Sequence, residues 1–327
     1  MKDYSLSILI PARNEQWVSN TVADILKNKR GKTEVIVGLD GEWADPEIED
    51  HPDVTVVYYA ESIGQRAMTN RLAKLSEAKY LAKCDAHVAF SEGFDQILMD
   101  DMKDNYTMVP ILKNLWCFDW KCMKCGKRTF QGPKPVDCTD CDNTDNFTQK
   151  LVWKPNSNRP SSTAFVFNTD LQFWYFGELK ARQPDEDIVE TLSLQGSFFM
   201  CTREKYWELN ICDESWGSWG QQGTEVALKT WLSGGRVVVN RKAWYAHLFR
   251  TQTGFSFPYP MSGNSQHRAR QISQDIFLNN KWDKQTKPLW WVLDKFREPL
   301  LEYKDEGGKS WTAEYLDELK KVPLNGK

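Results

Sequence analysis

Long apolar runs and the commonest nucleotide-binding motifs are missing from this 327-residue chain. No run of 18 or more apolar residues occurs, so the sequence predicts no membrane-spanning helix. Neither Gly-x-Gly-x-x-Gly nor a phosphate-binding Gly-Lys-Ser/Thr loop is present. The 42 Lys and Arg residues are balanced by 45 Asp and Glu residues. The resulting net charge of −3 provides no general attraction to nucleic acid or to an anionic membrane.

The N-terminal segment shows no secretory signal either, because a strand-like run begins within the first ten residues. We therefore expect a cytoplasmic protein with no membrane partner. The hydrophobic share of 41% is that of a folded globular protein. At this length the chain can form one large domain with additions or two domains.

Strand-like and helix-like patterns alternate through the first hundred residues. Apolar runs predict strands at 6–12, 33–41, 53–60 and 81–90, and helical periodicity is present at 14–32 and 64–80. This alternation predicts an α/β fold with a doubly wound, mostly parallel sheet. Ligands of such sheets bind beyond the carboxyl ends of the strands. Residues 11–15, Asp40, Gly64 and 85–87 fall at that edge, so we predict that they form one site.

The segment KCDAHVAF, residues 83–90, places a carboxylate and an imidazole two residues apart. In an extended strand the side chains of Asp85 and His87 would point to the same face. Such a pair indicates a metal site or, alternatively, a hydrogen-bonded polar pair at the end of a strand. The residues alone leave both interpretations open.

Four of the eight cysteines form two Cys-x2-Cys pairs that are separated by twelve residues: Cys122, Cys125, Cys138 and Cys141. Thiolates at this spacing predict a closed, tetrahedral structural zinc site of the zinc-ribbon type. Gly126 follows the first pair and suits a tight turn around the metal. Two disulfides are the alternative, which the missing export signal disfavours. The first half of this insert is basic and the second half acidic, a surface that can contact nucleic acid or remain solvated.

The order of these segments resembles the nucleotide-sugar half of GT-A glycosyltransferases. SILIPARNE (7–15) is similar to the first strand and base-binding turn of the family 2 enzymes. VGLDG (37–41) is similar to the strand whose Asp, here Asp40, reads the pyrimidine ring. The Asp-x-His form of the metal motif and WGQQGTEVALKTWLSGGRVVVNRKAWYAHLFR (219–250) resemble the polypeptide N-acetylgalactosaminyltransferases.

This resemblance implies a GT-A fold, a Rossmann-like, doubly wound mixed sheet, with an inserted zinc ribbon and a C-terminal helical extension. The implied organisation is a nucleotide-sugar half at 1–114, the ribbon at 115–150, an acceptor-side half at 151–250, and a lid loop with a helical extension at 251–327. The donor, by expectation a UDP-sugar, would contact residues at the strand ends: Pro11, Ala12, Arg13, Glu15, Asp40, Gly64, Arg66, Asp85 and Arg250.

The charge of a departing nucleoside diphosphate must be neutralised, and a divalent ion that bridges the phosphates does this. The resemblance implies that Asp85, His87 and His247 bind this ion. One carboxylate and two imidazoles suit manganese better than magnesium, which stays the second choice.

Glu225 is the second candidate catalytic residue beside Asp85. In family 2 an acid at this position is the general base for the acceptor hydroxyl, although an acid in the first turn of a helix is also favoured by the helix dipole. The chain has Gln222 where the N-acetylgalactosaminyltransferases have an additional acid. The resemblance therefore leaves two outcomes open: inversion with Glu225 as base, or retention with Glu225 as an acceptor clamp.

We predict a metal-dependent glycosyltransferase of the hexosyl- or N-acetylhexosaminyl-transferase class. Its acceptor is undetermined, and a hydroxymethylated pyrimidine in DNA is one candidate because the ribbon carries cations and nearby tryptophans. Two other functions stay open, a nucleotidyltransferase and a zinc-ribbon nucleic-acid-binding protein with an inert glycosyltransferase-like domain. The missing glycine-rich loop argues against the first, and the intact metal motif argues against the second.

Overall fold

The computed structural model describes residues 3–250, 254, 256–259 and 263–324. The strands in these residues are β1 (Leu6–Ala12), β2 (Thr33–Asp40), β3 (Val54–Tyr59), β4 (Tyr80–Cys84), β5 (Val88–Phe90), β6 (Tyr106–Cys122), β7 (Arg128–Phe130), β8 (Phe147–Pro155), β9 (Phe165–Phe167), β10 (Phe173–Tyr175), β11 (Ile188–Glu190), β12 (Phe198–Thr202) and β13 (Arg236–His247).

The helices of the described residues fall between these strands and after them in the chain. They are α1 (Val18–Asn28), α2 (Gln65–Leu75), α3 (Phe94–Asp100), α4 (Gly177–Lys180), α5 (Arg203–Glu208), α6 (Gln222–Leu232), α7 (Gly263–Leu278), α8 (Leu289–Lys295), α9 (Arg297–Glu302) and α10 (Ala313–Leu319), with a 3-10 turn at Glu214–Trp216. None of the described helices is both long enough and apolar enough to cross a membrane.

The main sheet has the order β11-β13-β6-β12-β4-β1-β2-β3. Strands β1 to β4 form its parallel half, in which β1 pairs with β2 and β4, and β2 pairs with β3. Strand β12 runs antiparallel to both β4 and β6, so the sheet is mixed. β1 and most of β2 are buried, as expected for strands covered on both faces. The predicted α/β sheet is confirmed, and strands from both 1–114 and 151–250 belong to it.

The predicted strand at 81–90 is wrong in one respect, because the chain leaves the extended conformation at 85–87. β4 ends at Cys84, where it pairs with Phe198 of β12, whereas β5 pairs with β13 through Val88 and His247. The chain has to turn between these two partners, and the backbone N–H of Asp85 donates to the carbonyl of Ser197 at 2.8 Å. Asp85 and His87 therefore lie on a turn.

Strand β6 is 17 residues long and belongs to two sheets. Its first part pairs with β12 and β13 in the main sheet. Its outer part, Leu115–Cys122, pairs antiparallel with β7 and β8. We call this outer part together with β7, β8 and the loop that joins them the ribbon. The ribbon therefore continues from β6, the strand that pairs with β13, and β13 ends at His247.

The C-terminal helices pack on the core, as predicted for the helical extension. The ring of Trp231 in α6 lies 6.3 Å from that of Trp291 and 5.7 Å from that of Phe296. The indole of Trp311 donates to the carbonyl of Phe167 at 2.9 Å. Half of the predicted lid, 251–264, lies outside the described residues.

Candidate active site at the carboxyl ends of the strands

A cleft of about 250 Å³ opens at the carboxyl ends of β1, β2 and β4. Ten of the residues singled out in the sequence line it: Pro11, Ala12, Arg13, Glu15, Asp40, Gly64, Asp85, His87, His247 and Arg250. Its other lining residues include Gln65, Gln195 and Trp219 and the described lid residues Phe257 and Tyr259. Parallel strands bring these separate segments to one edge of the sheet.

The metal triad, which we define as Asp85, His87 and His247, lies in the wall of this cleft. The Nε2 atoms of His87 and His247 are 3.1 Å apart, and Nε2 of His247 is 3.3 Å from Oδ2 of Asp85. Two ligands about 2.1 Å from an octahedral ion and at right angles to each other are about 3 Å apart. The three side chains therefore fit one divalent ion, with coordination positions left for a diphosphate.

Electrostatics hold two of these groups in the forms that bind a cation. Burial opposes ionisation of Asp85, but Lys83, which contacts the carboxylate, and His247 hold its pKa well below its usual range. Burial lowers the pKa of His247 to about 4, although Asp85 partly opposes this shift. At neutral pH the site thus has an ionised carboxylate and a neutral imidazole, the forms that ligate a metal.

Glu15 contacts the metal triad through His87. Its Oε2 lies 2.9 Å from Nδ1 of His87, so the other ring nitrogen faces the triad. Arg250 donates to both carboxylate oxygens of Glu15, at 2.7 and 2.6 Å. Burial raises the pKa of Glu15, and the stronger effect of His87 and Arg250 lowers it overall. A carboxylate that fixes a ligating histidine in this way is a common support of metal sites.

Asp40 lies in the cleft wall and also fixes the turn before α2. Its two oxygens accept hydrogen bonds from the backbone N–H groups of Ile63 and Gly64 and from the hydroxyl of Ser62. Gly64 has a φ of +88°, and a Cβ there would lie 2.6 Å from Cβ of Ser218. Only glycine suits this position, because both the backbone conformation and the close approach exclude a side chain.

Neither Glu225 nor Arg66 lines the cleft, in contrast to the sequence prediction. Glu225 is fully buried, and Arg66 donates to its Oε2 at 2.8 Å. Lys229 donates to its Oε1 at 2.6 Å, and the N–H of Asp213 lies 3.2 Å from the same oxygen. Since two cations occupy this carboxylate and an acceptor has no access to it, we do not retain Glu225 as general base or Arg66 as a nucleotide contact.

A second chamber of about 320 Å³ adjoins the cleft and shares Gln65, Asp85, Gln195 and Trp219 with it. No motif in the sequence marks this chamber, because its polar lining consists largely of amides: Gln65, Gln172, Gln195, Gln221, Gln222 and Gln266. Oε1 of Gln222 and Oγ1 of Thr224 are buried here without a hydrogen-bond partner among the described residues. Unpartnered buried oxygens indicate a place where a ligand's hydroxyl groups bind.

The chain is similar in sequence to known glycosyltransferases. Residues 7–119 match the family model "Glycosyl transferase family 2". Human polypeptide N-acetylgalactosaminyltransferase 3 is 24% identical over 268 residues, which cover 77% of this chain and 38% of the relative. The Drosophila melanogaster protein of the same name is 29% identical over 104 residues, which cover 30% and 16%. The chain thus spans well under half the length of these relatives.

A solved structure supports the same fold. The crystal structure of GalNAc-T7 with UDP, GalNAc and Mn²⁺ aligns over 97% of this chain and 55% of its own, at a TM-score of 0.58 and 15% identity. The chain carries a glycosyltransferase domain of GT-A fold. The predicted fold is therefore confirmed, and this domain contains both the metal triad and the second chamber.

The ribbon of the glycosyltransferase domain brings the four cysteines of the two pairs together. Their sulfur atoms all lie within 4.8 Å of one another, with Cys122 and Cys141 at 3.7 Å and Cys125 and Cys138 at 3.5 Å. The sulfurs of a tetrahedral zinc site with bonds of about 2.3 Å are about 3.8 Å apart. Burial disfavours the Cys122 thiolate, but backbone N–H groups of Cys125 and Lys124 outweigh this effect and lower its pKa to about 6. These distances fit zinc.

The basic half of the ribbon is neutralised by its acidic half. Three ion pairs join the two halves, Lys124 with Asp142, Lys127 with Asp140 and Lys134 with Asp145. Arg128 pairs with Asp119 of β6. These charges are separated in the sequence, and the hairpin of the ribbon brings them together. The ribbon therefore presents much less net positive charge than its first half suggests.

Proposed function

We propose that the protein is a metal-dependent glycosyltransferase that moves a sugar from a UDP-sugar to an acceptor hydroxyl. The observation that carries this proposal is the metal triad in a cleft that residues of the matched segment 7–119 line in part. The presence of UDP and Mn²⁺ in the GalNAc-T7 structure supports the choice of donor and metal.

The residues of the cleft have separate roles in binding the metal and the donor. Asp85, His87 and His247 would hold the divalent ion, with Mn²⁺ as first choice and Mg²⁺ as second. When bound, such an ion supplies positive charge against the leaving diphosphate. Arg13, whose guanidinium lies 5.3 Å from the ring of Tyr259, lines the same cleft and adds a second cation on the donor side. Asp40 and the turn that it holds would border the uracil ring.

We assign the transferred sugar and the acceptor to the second chamber. Its amide groups each donate and accept, which matches the hydroxyl groups of a sugar ring. Gln222 and Thr224 have side-chain oxygens without a hydrogen-bond partner among the described residues, so hydroxyl donors would satisfy them. Trp219 borders both chambers and supplies an apolar ring surface beside the sugar.

We further propose that the reaction retains the anomeric configuration. An inverting enzyme needs a base that takes the acceptor proton. Among the described residues that line the second chamber, Asp85 is the only carboxylate, and it belongs to the metal triad. With Glu225 occupied by Arg66 and Lys229, no other carboxylate of the described chamber is placed to act as base.

The test is a panel of UDP-sugars incubated with the protein and Mn²⁺, with UDP release measured first. An α-linked donor should give an α-configured product when its anomeric proton is followed by NMR. Boiled protein and protein in chelator provide the controls. A β-configured product would contradict retention alone, whereas UDP release from none of the donors would contradict the glycosyltransferase proposal.

We also propose that Cys122, Cys125, Cys138 and Cys141 bind one structural zinc ion. Cys125→Ser should lose this zinc and should lower the melting temperature of the ribbon more than that of the main sheet, because the metal joins two distant pairs. Cys201→Ser, at a buried cysteine outside the ribbon, is the control that keeps zinc. Elemental analysis that finds no zinc in the wild-type protein, or mass spectrometry that finds two disulfides, would contradict the proposal.

We keep the hydroxymethylated pyrimidine of DNA as the proposed acceptor, with different lysines as its phosphate contacts. The ion-paired Lys124 and Lys127 are poor phosphate contacts. Lys150 and Lys154 on β8 have no carboxylate partner among the described residues, and Lys154 lies 5.0 Å from the ring of Trp116. Sugar transfer to hydroxymethylated DNA at low salt tests this acceptor. Lys154→Ala should lower this transfer more than Lys124→Ala does.

A further inference from the structure

The ribbon and the metal triad are joined by one hydrophobic cluster. Seven buried residues form it, and three partly buried tryptophans pack against it: Trp17, Ala89, Leu115, Cys117, Phe118, Ala246 and Leu248, with Trp120, Trp153 and Trp244. Leu115, Cys117, Phe118, Trp120 and Trp153 come from the ribbon strands. The other members come from the segment before α1 and from β5 and β13 with the residue that follows it. The cluster is separate from the main core.

Trp17 is the central contact of this cluster. Its ring stacks on Phe118 of β6 at 5.5 Å between centroids, with an angle of 17° between the planes. Trp153 of β8 lies against it at 6.2 Å. Two strands of the ribbon thus hold one indole of the glycosyltransferase domain, which is only 7% exposed.

The same residue contacts the support of the metal triad through its backbone. The N–H of Trp17 lies 3.3 Å from Oε1 of Glu15, and Oε2 of Glu15 binds Nδ1 of His87. A displacement of Trp17 would therefore move the carboxylate that orients His87. Three successive contacts thus connect the ribbon to a metal ligand. They join Phe118 to Trp17, Trp17 to Glu15 and Glu15 to His87.

The strands of the triad meet the cluster as well. Ala246 and Leu248 flank His247 in the chain, and Ala89 lies two residues after His87. The N–H of Leu248 donates to the carbonyl of His87 at 3.2 Å, so the two ligand segments are joined directly. The cluster thus contacts both segments that supply the imidazoles.

We propose that the ribbon is a positioning element for the catalytic metal site and that Trp17 is the residue through which it acts. This inference rests on the proposed metal-dependent function. The zinc ligands lie at the outer end of the ribbon, where Cys122 pairs with Phe147, and the Trp17 contacts lie at its inner end. Zinc would hold the β6–β8 pair in register, and the inner end would in turn hold Glu15 and His87.

The test is a titration with Mn²⁺ alone, in which free Mn²⁺ is followed by its EPR signal. Phe118→Ala should raise the dissociation constant for Mn²⁺ about tenfold, the size of effect that follows loss of a ligand's supporting contact. Trp17→Ala should do the same, and Trp17→Phe, which keeps a flat ring, should restore most of the affinity. Phe130→Ala removes an exposed ribbon ring that contacts Trp116 at 5.5 Å, and it is the matched control that should bind Mn²⁺ as the wild type does.

Circular dichroism melting checks that each variant is folded, and Phe118→Leu replaces Phe118→Ala if the latter does not fold. Removal of zinc from the wild-type protein should also weaken Mn²⁺ binding. Unchanged Mn²⁺ affinity in a folded Phe118 variant would overturn the inference and leave the metal-dependent function standing. A wild-type protein that binds no Mn²⁺ at millimolar concentration would overturn both.

Discussion

Asp85→Asn is expected to lower the rate of sugar transfer by about 10³-fold, the upper end of the range for loss of one group that stabilises developing charge. The substitution removes the only carboxylate of the metal triad and with it the charge that holds the divalent ion. The rate should be measured with saturating UDP-sugar across a series of Mn²⁺ concentrations. Asp50→Asn, at an exposed carboxylate, is the control and should retain full activity.

Lys83 complicates this variant, because it is a buried cation whose contact to Asp85 would be weakened. His87→Gln is the second variant, since it removes a ligand without changing the surroundings of Lys83. Chelator should abolish the wild-type activity and added Mn²⁺ should restore it. Full activity of Asp85→Asn in chelator would end the metal-dependent interpretation.

Glu225→Gln is expected to destabilise the protein by about 3–5 kcal/mol, because it leaves the buried cations Arg66 and Lys229 without their shared anion. The free energy of unfolding in urea measures this effect. Glu314→Gln is the matched control, since Glu314 is also an acid in the first turn of a helix but is exposed. The free energy of unfolding of Glu314→Gln should stay within about 0.5 kcal/mol of the wild-type value.

The same variant separates the structural role of Glu225 from the catalytic one. A general base would cost about 10²–10⁴-fold in rate when it is removed, even in protein that is fully folded. We expect folded Glu225→Gln molecules at low temperature to keep transfer activity within about tenfold of the wild type. A stable Glu225→Gln protein without activity would indicate that Glu225 is the general base after all.

The strand ends show how far local sequence reaches. The apolar runs of β1 and β2 predict strands buried on both faces, and parallel strands place their carboxyl ends at one edge. That geometry suffices to bring Pro11, Asp40 and Asp85 into one cleft. The turn at 85–87 was predicted as strand, because the change of pairing partner from β12 to β13 leaves no local signal.

Charged residues show where this reasoning ends. Glu225 occupies the predicted first turn of a helix, but its partner Arg66 lies 159 residues away in the chain. Glu15 lines the cleft where the sequence predicts a nucleotide contact, but the sequence does not show that Arg250 and His87 bind its carboxylate. The sequence places each of these groups on an element without showing which charge will face it.

The sequence by itself determined the elements of this protein whose signals are local. These are the α/β alternation, the Asp-x-His motif and the cysteine pairs whose spacing suits zinc, because periodicity and spacing operate over a few residues. Only the tertiary structure decided that Glu225 is neutralised in the interior, that amides line the second chamber and that the ribbon contacts the metal triad through Trp17. These features depend on packing between segments far apart in the chain. Burial makes an unpaired charge or an unpartnered oxygen costly, and this cost determines which groups meet.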